Sequence, residues 1–135
     1  MARLIPDTGV LVAAVRGRLD LAVLPDEDDV ALPAVVLAEY RAGVLRDDDH
    51  GRRAAQRAFL DEVLLAVPVE DYDPVVAEHH AELLAHVLRI DQPRGAHDLI
   101  VAATARATGK TLLTTAERAR FHELPEVSAR VIATT

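Results

Sequence analysis

The stretch AHDLIVAATARATGKTLLTT, residues 96–115, holds most of what the chain discloses about its fold. Its first part, His97 to Thr108, places apolar and small residues at helical spacing. Gly109 follows, the residue type that most often closes a helix in the left-handed conformation. Thr111 to Thr114 then reads as a short apolar strand. Asp98 stands in the first turn of the helix, and its same-face successors are Ala102 and Ala105, so small side chains leave space above the carboxylate. A helix that stops at glycine and runs straight into a strand is half of a βαβ unit.

The same alternation extends upstream. Arg3 to Pro6 reads as a strand ending at Asp7, and Thr8 to Val15 is apolar at helical spacing. Val30 to Leu32 reads as a second short strand. Ala34 to Leu45 predicts a helix with Val36, Tyr40, Gly43 and Val44 along one face. Arg52 to Leu65 is amphipathic, with Ala55, Phe59 and Val63 on one side and Arg53, Arg57 and Asp61 on the other. Ala66 to Val69 reads as a strand, and Pro74 opens a helix at its favoured first-turn position that runs to about Arg89. Beyond the quoted stretch, Ala116 to Phe121 predicts a short helix and Ala129 to Ile132 a last strand. Strands alternating with helices predict an α/β fold: a short, mainly parallel sheet flanked by helices in three layers. Sites in such sheets form beyond the carboxyl ends of the strands, where Asp7 and Thr114-Thr115 fall.

Composition narrows the function. The chain has 135 residues, half of them hydrophobic, which suits a single domain spanning residues 1–135 with a real core. Phe59, Phe121, Tyr40 and Tyr72 are the only aromatics, which argues against an RNA-binding module built on stacking platforms. Cysteine is absent, which removes disulfides, thiolate metal sites and a thiol nucleophile. No apolar run approaches a bilayer span, and the start is too interrupted for a signal peptide, so a cytoplasmic protein is expected. A net charge of −7 speaks against tight non-specific binding to nucleic acid. Much of it lies in two acidic runs, Asp26 to Asp29 and Asp47 to Asp49, read as solvated loops. A site in which a cation bridges protein and phosphate remains compatible with that charge.

Among the acids, Asp7 ends a strand and opens a helix, Glu39 lies on or beside the apolar stripe of its helix, and Asp98 begins a helix. Taken singly, each has an ordinary reading: Asp7 and Asp98 as helix caps or dipole partners, Glu39 as a side chain reaching water at the stripe's edge. As a set they can converge at one end of a parallel sheet. Clustered carboxylates repel and need a cation, and an all-oxygen set favours Mg²⁺ or Mn²⁺. The chemistry suited to such a site is phosphodiester hydrolysis by water activated at the metal.

These residues also carry a resemblance. Asp7-Thr8-Gly9-Val10-Leu11 resembles the opening aspartate motif of PIN domains, and Leu37-Ala38-Glu39-Tyr40 resembles their helical glutamate. Ala96 to Ala105, with Gly109 and Leu112-Leu113-Thr114-Thr115 after it, is similar to the pattern of VapC-type ribonuclease toxins. The resemblance covers nearly the whole chain. It implies a PIN fold, a Mg²⁺-dependent endoribonuclease that cuts a structured RNA such as a tRNA or ribosomal RNA, a homodimer, and a cognate VapB-type antitoxin. On this reading Asp7, Glu39 and Asp98 are catalytic and hold one or two Mg²⁺ directly or through water. Thr8 and Thr115 line the site, the latter as a possible hydroxyl contributor. One departure stands out: the fourth acid that the family often carries after the Thr-Thr strand end is Ala116 here. Glu117 is the neighbour in line to replace it, although one residue along a helix turns a side chain by about 100°. The alternative implied by that gap is a catalytically weakened PIN-fold binding module. A metal-dependent phosphatase or DNA nuclease would share the same acids.

Other leads are weaker. Gly109-Lys110-Thr111 imitates the end of a P-loop, but Thr104 stands where its first glycine belongs, and the order is helix then strand. His79, His80 and His86 read as exposed helix residues, and His97 as structural. Ser128 is the only serine and has no nucleophile-elbow glycines around it. Arg94, Arg118 and Arg120 flank the acids and are read first as salt-bridge formers, with contact to phosphates or to an antitoxin as the functional option.

Overall fold

Leu4, Ile5, Leu112 and Leu113 are each no more than 1% exposed, as strands covered on both faces require. They belong to the central pair of a parallel sheet in a computed structural model that describes residues 3–19 and 29–134. The chain runs β1 (Arg3–Pro6), α1 (Thr8–Val15), β2 (Asp29–Val30), β3 (Leu32–Pro33), α2 (Ala34–Arg46), α3 (His50–Ala66) and β4 (Val69–Glu70). It continues as α4 (Pro74–Arg89), α5 (Ala96–Thr108), β5 (Thr111–Thr114) and β6 (Ala129–Val131). One sheet has the order β2-β1-β5-β6 and a smaller one joins β3 to β4, every pairing being parallel. The acidic run at Asp26 to Asp28 lies outside the described residues.

Alternation of side chains sorts the strand residues between two layers. Ile5 and Leu112 join a large cluster with Val36, Leu83 and Leu99 from α2, α4 and α5. Leu4 and Leu113 join a smaller one with Val10 of α1. In α5 the buried residues are mostly small (Ala102, Ala103 and Ala105 are all 0% exposed), so the helix backbone lies close against its neighbours. α4 packs along α5, and Arg106 of α5 ties the pair by reaching Glu82 of α4 and, at 2.9 Å, Glu126.

Local signals explain the element ends. Asp7, Asp49 and Asp73 each accept a hydrogen bond from a first-turn amide at 2.8–3.1 Å, capping α1, α3 and α4. Gly109 adopts φ 65° and closes α5.

Three expectations need correction. The strand read at Val30 to Leu32 is two bridges: Ala31 donates its amide to the Leu4 carbonyl, and Leu32 donates to Pro68, so the chain changes sheets between them. The strand read at Ala66 to Val69 begins only at Val69, because α3 keeps Ala66 and the Val67 amide still bonds to Val63. The helix read at Ala116 to Phe121 is two 3₁₀ turns, Glu117–Ala119 and Phe121–Glu123, separated by Arg120 at φ 49°, a left-handed conformation that no α-helix continues through. Among the described residues no helix is long and apolar enough to cross a membrane.

Candidate active site

The register Pro6 to Leu113, followed by the Asp7 amide donating to the Leu113 carbonyl at 2.9 Å, brings Asp7 beside Thr114 at the carboxyl ends of the two central strands. Asp7 is 9% exposed. One of its oxygens accepts from the Val10 amide at 3.1 Å and the other accepts from the Thr114 hydroxyl. The Thr114 hydroxyl in turn accepts from the Ala116 amide at 2.9 Å. Both carboxylate oxygens are thereby oriented by neutral donors, and each retains a free lone pair.

Glu39 approaches from α2. Its Oε1 accepts from the Thr8 hydroxyl at 3.1 Å, and its Oε2 lies 3.3 Å from Nδ1 of His97. This pair of contacts joins the first turns of α1 and α5 through one glutamate. Asp98, in the first turn of α5, makes no hydrogen bond or ion pair among the described residues. Burial raises the Asp7 carboxyl above its ordinary value despite the two hydrogen bonds, and the charges of Asp98 and Glu39 push it further. Burial likewise raises Asp98, with Glu39 adding to the rise and His97 and Arg94 opposing it. Asp98 and Glu39 act on Asp7, and Glu39 on Asp98, through one electrostatic field.

The donor set suits a hard divalent cation, being carboxylate oxygen with no lysine or arginine nitrogen bonded to any of the three. Among the described residues no three carboxylate or imidazole side chains lie close enough together to ligate one ion directly. Mg²⁺ characteristically keeps several of its waters and takes only one or two carboxylates, which matches that spacing.

Two glycines make room here: Gly9, inside the Asp7 to Leu11 motif, and Gly95, which the reading of the sequence passes over. A Cβ on Gly9 would stand 2.8 Å from the Thr115 hydroxyl and 3.4 Å from Asp7 Oδ1; one on Gly95 would stand 3.0 Å from Asp98 Oδ2. Of the residues expected to line the site, Thr8 touches Glu39 and Thr115 lies over Gly9, whereas Glu117 is exposed on its 3₁₀ turn. Thr114, rather than Thr115, is the hydroxyl that reaches Asp7. The period-two alternation contained the signal, since Asp7 and Thr114 continue the face of Ile5 and Leu112. Arg94 is structural: its side chain is 6% exposed, and it donates to the carbonyls of Ala119 and Arg120 and pairs with Glu123. His97, read as structural, contacts Glu39.

The model of the PIN domain matches residues 4–127. The chain belongs to the PIN-domain family. Within it, the chain is 35% identical over 111 residues to Ribonuclease VapC5 of Mycobacterium tuberculosis, covering 80% of this chain and 78% of that protein. It is 25% identical over 129 residues to Ribonuclease VapC of Rickettsia bellii, covering 96% of each. VapC is therefore the branch of the PIN family in which it sits. The fold agrees. A VapBC-5 structure from Mycobacterium tuberculosis superposes with a TM-score of 0.79 at 28% identity, covering 98% of this chain and 99% of that one. The VapBC2 structure from Rickettsia felis, bound to a DNA fragment from its promoter, superposes at 0.85 with 22% identity, covering 96% of this chain and 98% of that one. In this PIN domain the acids stand where an open parallel sheet places its sites, outside the carboxyl ends of the strands.

Proposed function

We propose that this PIN domain is a Mg²⁺-dependent endoribonuclease, with Mn²⁺ able to substitute, acting as the toxin of a toxin–antitoxin pair. The observation that carries the reading is the convergence of Asp7, Glu39 and Asp98 at one strand end with no arginine or lysine bonded to any of them among the described residues. Curated relatives named ribonucleases support the choice of RNA over DNA or a phosphomonoester. The substrate is a specific structured RNA, a tRNA or ribosomal RNA. A VapB-type antitoxin is its partner, in line with the VapBC complexes among the structural neighbours. The working form is a homodimer in the cytoplasm.

A bound Mg²⁺ supplies charge compensation for the acids and the phosphate, and makes water a stronger acid. Asp7, Glu39 and Asp98 hold the ion, directly or through water. Thr114 fixes the Asp7 carboxylate and Thr8 fixes that of Glu39, so the acids are oriented before substrate arrives. Asp98, free of hydrogen bonds, is the acid best placed to accept a proton from the attacking water.

The test is mapping of new RNA 5′ ends after induced expression in a host related to the source, wild type against Asp98→Asn. New ends at one or a few sites in the wild type alone are expected. Their absence, with folded protein free of antitoxin, would favour the second reading, a catalytically weakened binding module. Ala116 favours that reading, since the only neighbouring acid, Glu117, is exposed.

A further inference from the structure

Between α1 and α2 runs a groove of about 470 Å³. At one end it is lined by Thr8 and Glu39, and therefore opens on the acid cluster. Val12 and Val44 line its middle, and Arg16 and Arg46 stand at the far end, where α1 and α2 finish. From Thr8 to Arg16 the helical rise spans about 12 Å.

The arginines around this groove differ. Arg52 is held by Asp47 through two hydrogen bonds of 2.8 Å, so its charge is spent within the protein. Arg16 and Arg46 are exposed and form no ion pair among the described residues. A cation at the carboxyl end of a helix favours its dipole, which accounts for Arg16 as the C-cap of α1 and Arg46 in the last turn of α2. It does not account for both facing one cavity that leads to the acids. Among the described residues lining that end, Asp48 is the one acid not engaged by Arg52, and it faces the two guanidinium groups of Arg16 and Arg46. In a chain of net charge −7, two arginines without ion pairs among the described residues stand out.

We infer that the α1–α2 groove is the track along which single-stranded RNA enters the site, with Arg16 and Arg46 holding backbone phosphates on one side of the bond that is cut. The inference rests on the proposed nuclease reading and extends it to the way substrate is held. Guanidinium groups suit phosphate through paired N–H donors. The apolar middle, with Tyr40 mostly buried beneath it, provides no base-stacking platform. The track therefore contributes affinity without reading sequence.

The experiment measures binding of a fluorescein-labelled oligouridylate by anisotropy across a salt series, with Ca²⁺ present in place of Mg²⁺. The wild type, Arg16→Gln/Arg46→Gln, and the control Arg57→Gln/Arg89→Gln are compared. The control removes the same charge from two exposed arginines outside the groove. Loss of two exposed contacts should weaken binding by about tenfold. It should also lower the slope of log K against log salt by about 1.4, while the control stays near wild type. Equal weakening in both double variants would reduce the effect to net charge and overturn the track. So would groove-variant binding equal to wild type. A wild type that binds oligouridylate through the groove but cleaves no RNA would sink the nuclease reading and leave the track standing. Intact cleavage with unaltered groove-variant binding would do the reverse.

Discussion

At the amino end of β5, Lys110 is buried, its ammonium 3.4 Å from Asp29 and 3.8 Å from Glu70, with Arg3 adding a contact to Asp29 at 3.5 Å. At the carboxyl end of the same strand, Thr114 leads to Asp7, Glu39 and Asp98, and among the described residues no lysine or arginine bonds to any of them. Four residues of strand separate acids paired with lysine and arginine from acids that neither bonds among the described residues. The first arrangement ties β2 and β4 to the sheet. The second costs stability, and that cost has a purpose only if an outside cation and a phosphate complete it.

The largest expected effect breaks the symmetry of the two ends. Asp98→Asn should lower RNA cleavage by about a hundredfold to a thousandfold, a loss typical of removing one group that acts on charge in a transition state. The same change should raise the melting temperature of the metal-free protein, because an amide carries none of the repulsion. A variant that lost activity and stability together would mark Asp98 as structural. Next comes Mg²⁺, which at a hundred times its dissociation constant should stabilise the wild type by about 2.7 kcal/mol and Asp98→Asn by less. A thermal melt with and without the ion reads this directly. At the other end, Lys110→Met should cost about 2 kcal/mol in urea unfolding without altering the chemistry, since it strands Asp29 and Glu70, themselves partly solvated.

Titration sharpens the contrast. Asp7 and Asp98 have folded values raised above the ordinary 3.8. The metal-free fold therefore binds more protons than the unfolded chain in that window. Their contribution to stability is present below 3.8 and is lost as pH rises through the folded values. Asp47 behaves oppositely: its bonds to Arg52 hold it well below the carboxylate range, so its contribution is present above the ordinary value and lost as pH falls. Replacing both Asp7 and Asp98 with Asn should flatten the loss on the alkaline side in a series of melts, and an unchanged profile would remove these acids as its cause. The smallest effect concerns Gly9. Helix propensity favours alanine there, yet its Cβ would press on the Thr115 hydroxyl at 2.8 Å. Gly9→Ala should destabilise by about 1 kcal/mol, and Thr115→Ala in the same chain should recover most of it.

Much of this was legible in the sequence wherever a local rule governed the outcome. Pro74 marks the start of α4, Gly109 the end of α5, and the apolar pairs Leu4-Ile5 and Leu112-Leu113 the central strands. The three acids are legible as candidates, and the structure brings them into one field. What was hidden depends on contacts between distant elements. The chain changes sheets between Ala31 and Leu32 because Leu4 accepts from the one amide and Pro68 from the other. Arg120 takes a positive φ while Arg94, from a different loop, binds its carbonyl. His97 meets Glu39 across 58 residues of chain, and Gly95 is small because an aspartate folds back over it. None of these has a periodicity to detect.

Lys110 is the chain's single lysine and is 7% exposed. Amine-directed chemistry on the folded protein therefore has almost no side chain to attack. Acylating reagents, lysine-specific cleavage and enzymatic acetylation can gain access only when the amino end of β5 opens. The rate of labelling at this one residue becomes a clock for local opening at the compensated end of the sheet. It can be read by mass spectrometry in crude mixtures, with no engineered probe and no disturbance of the acids at the other end.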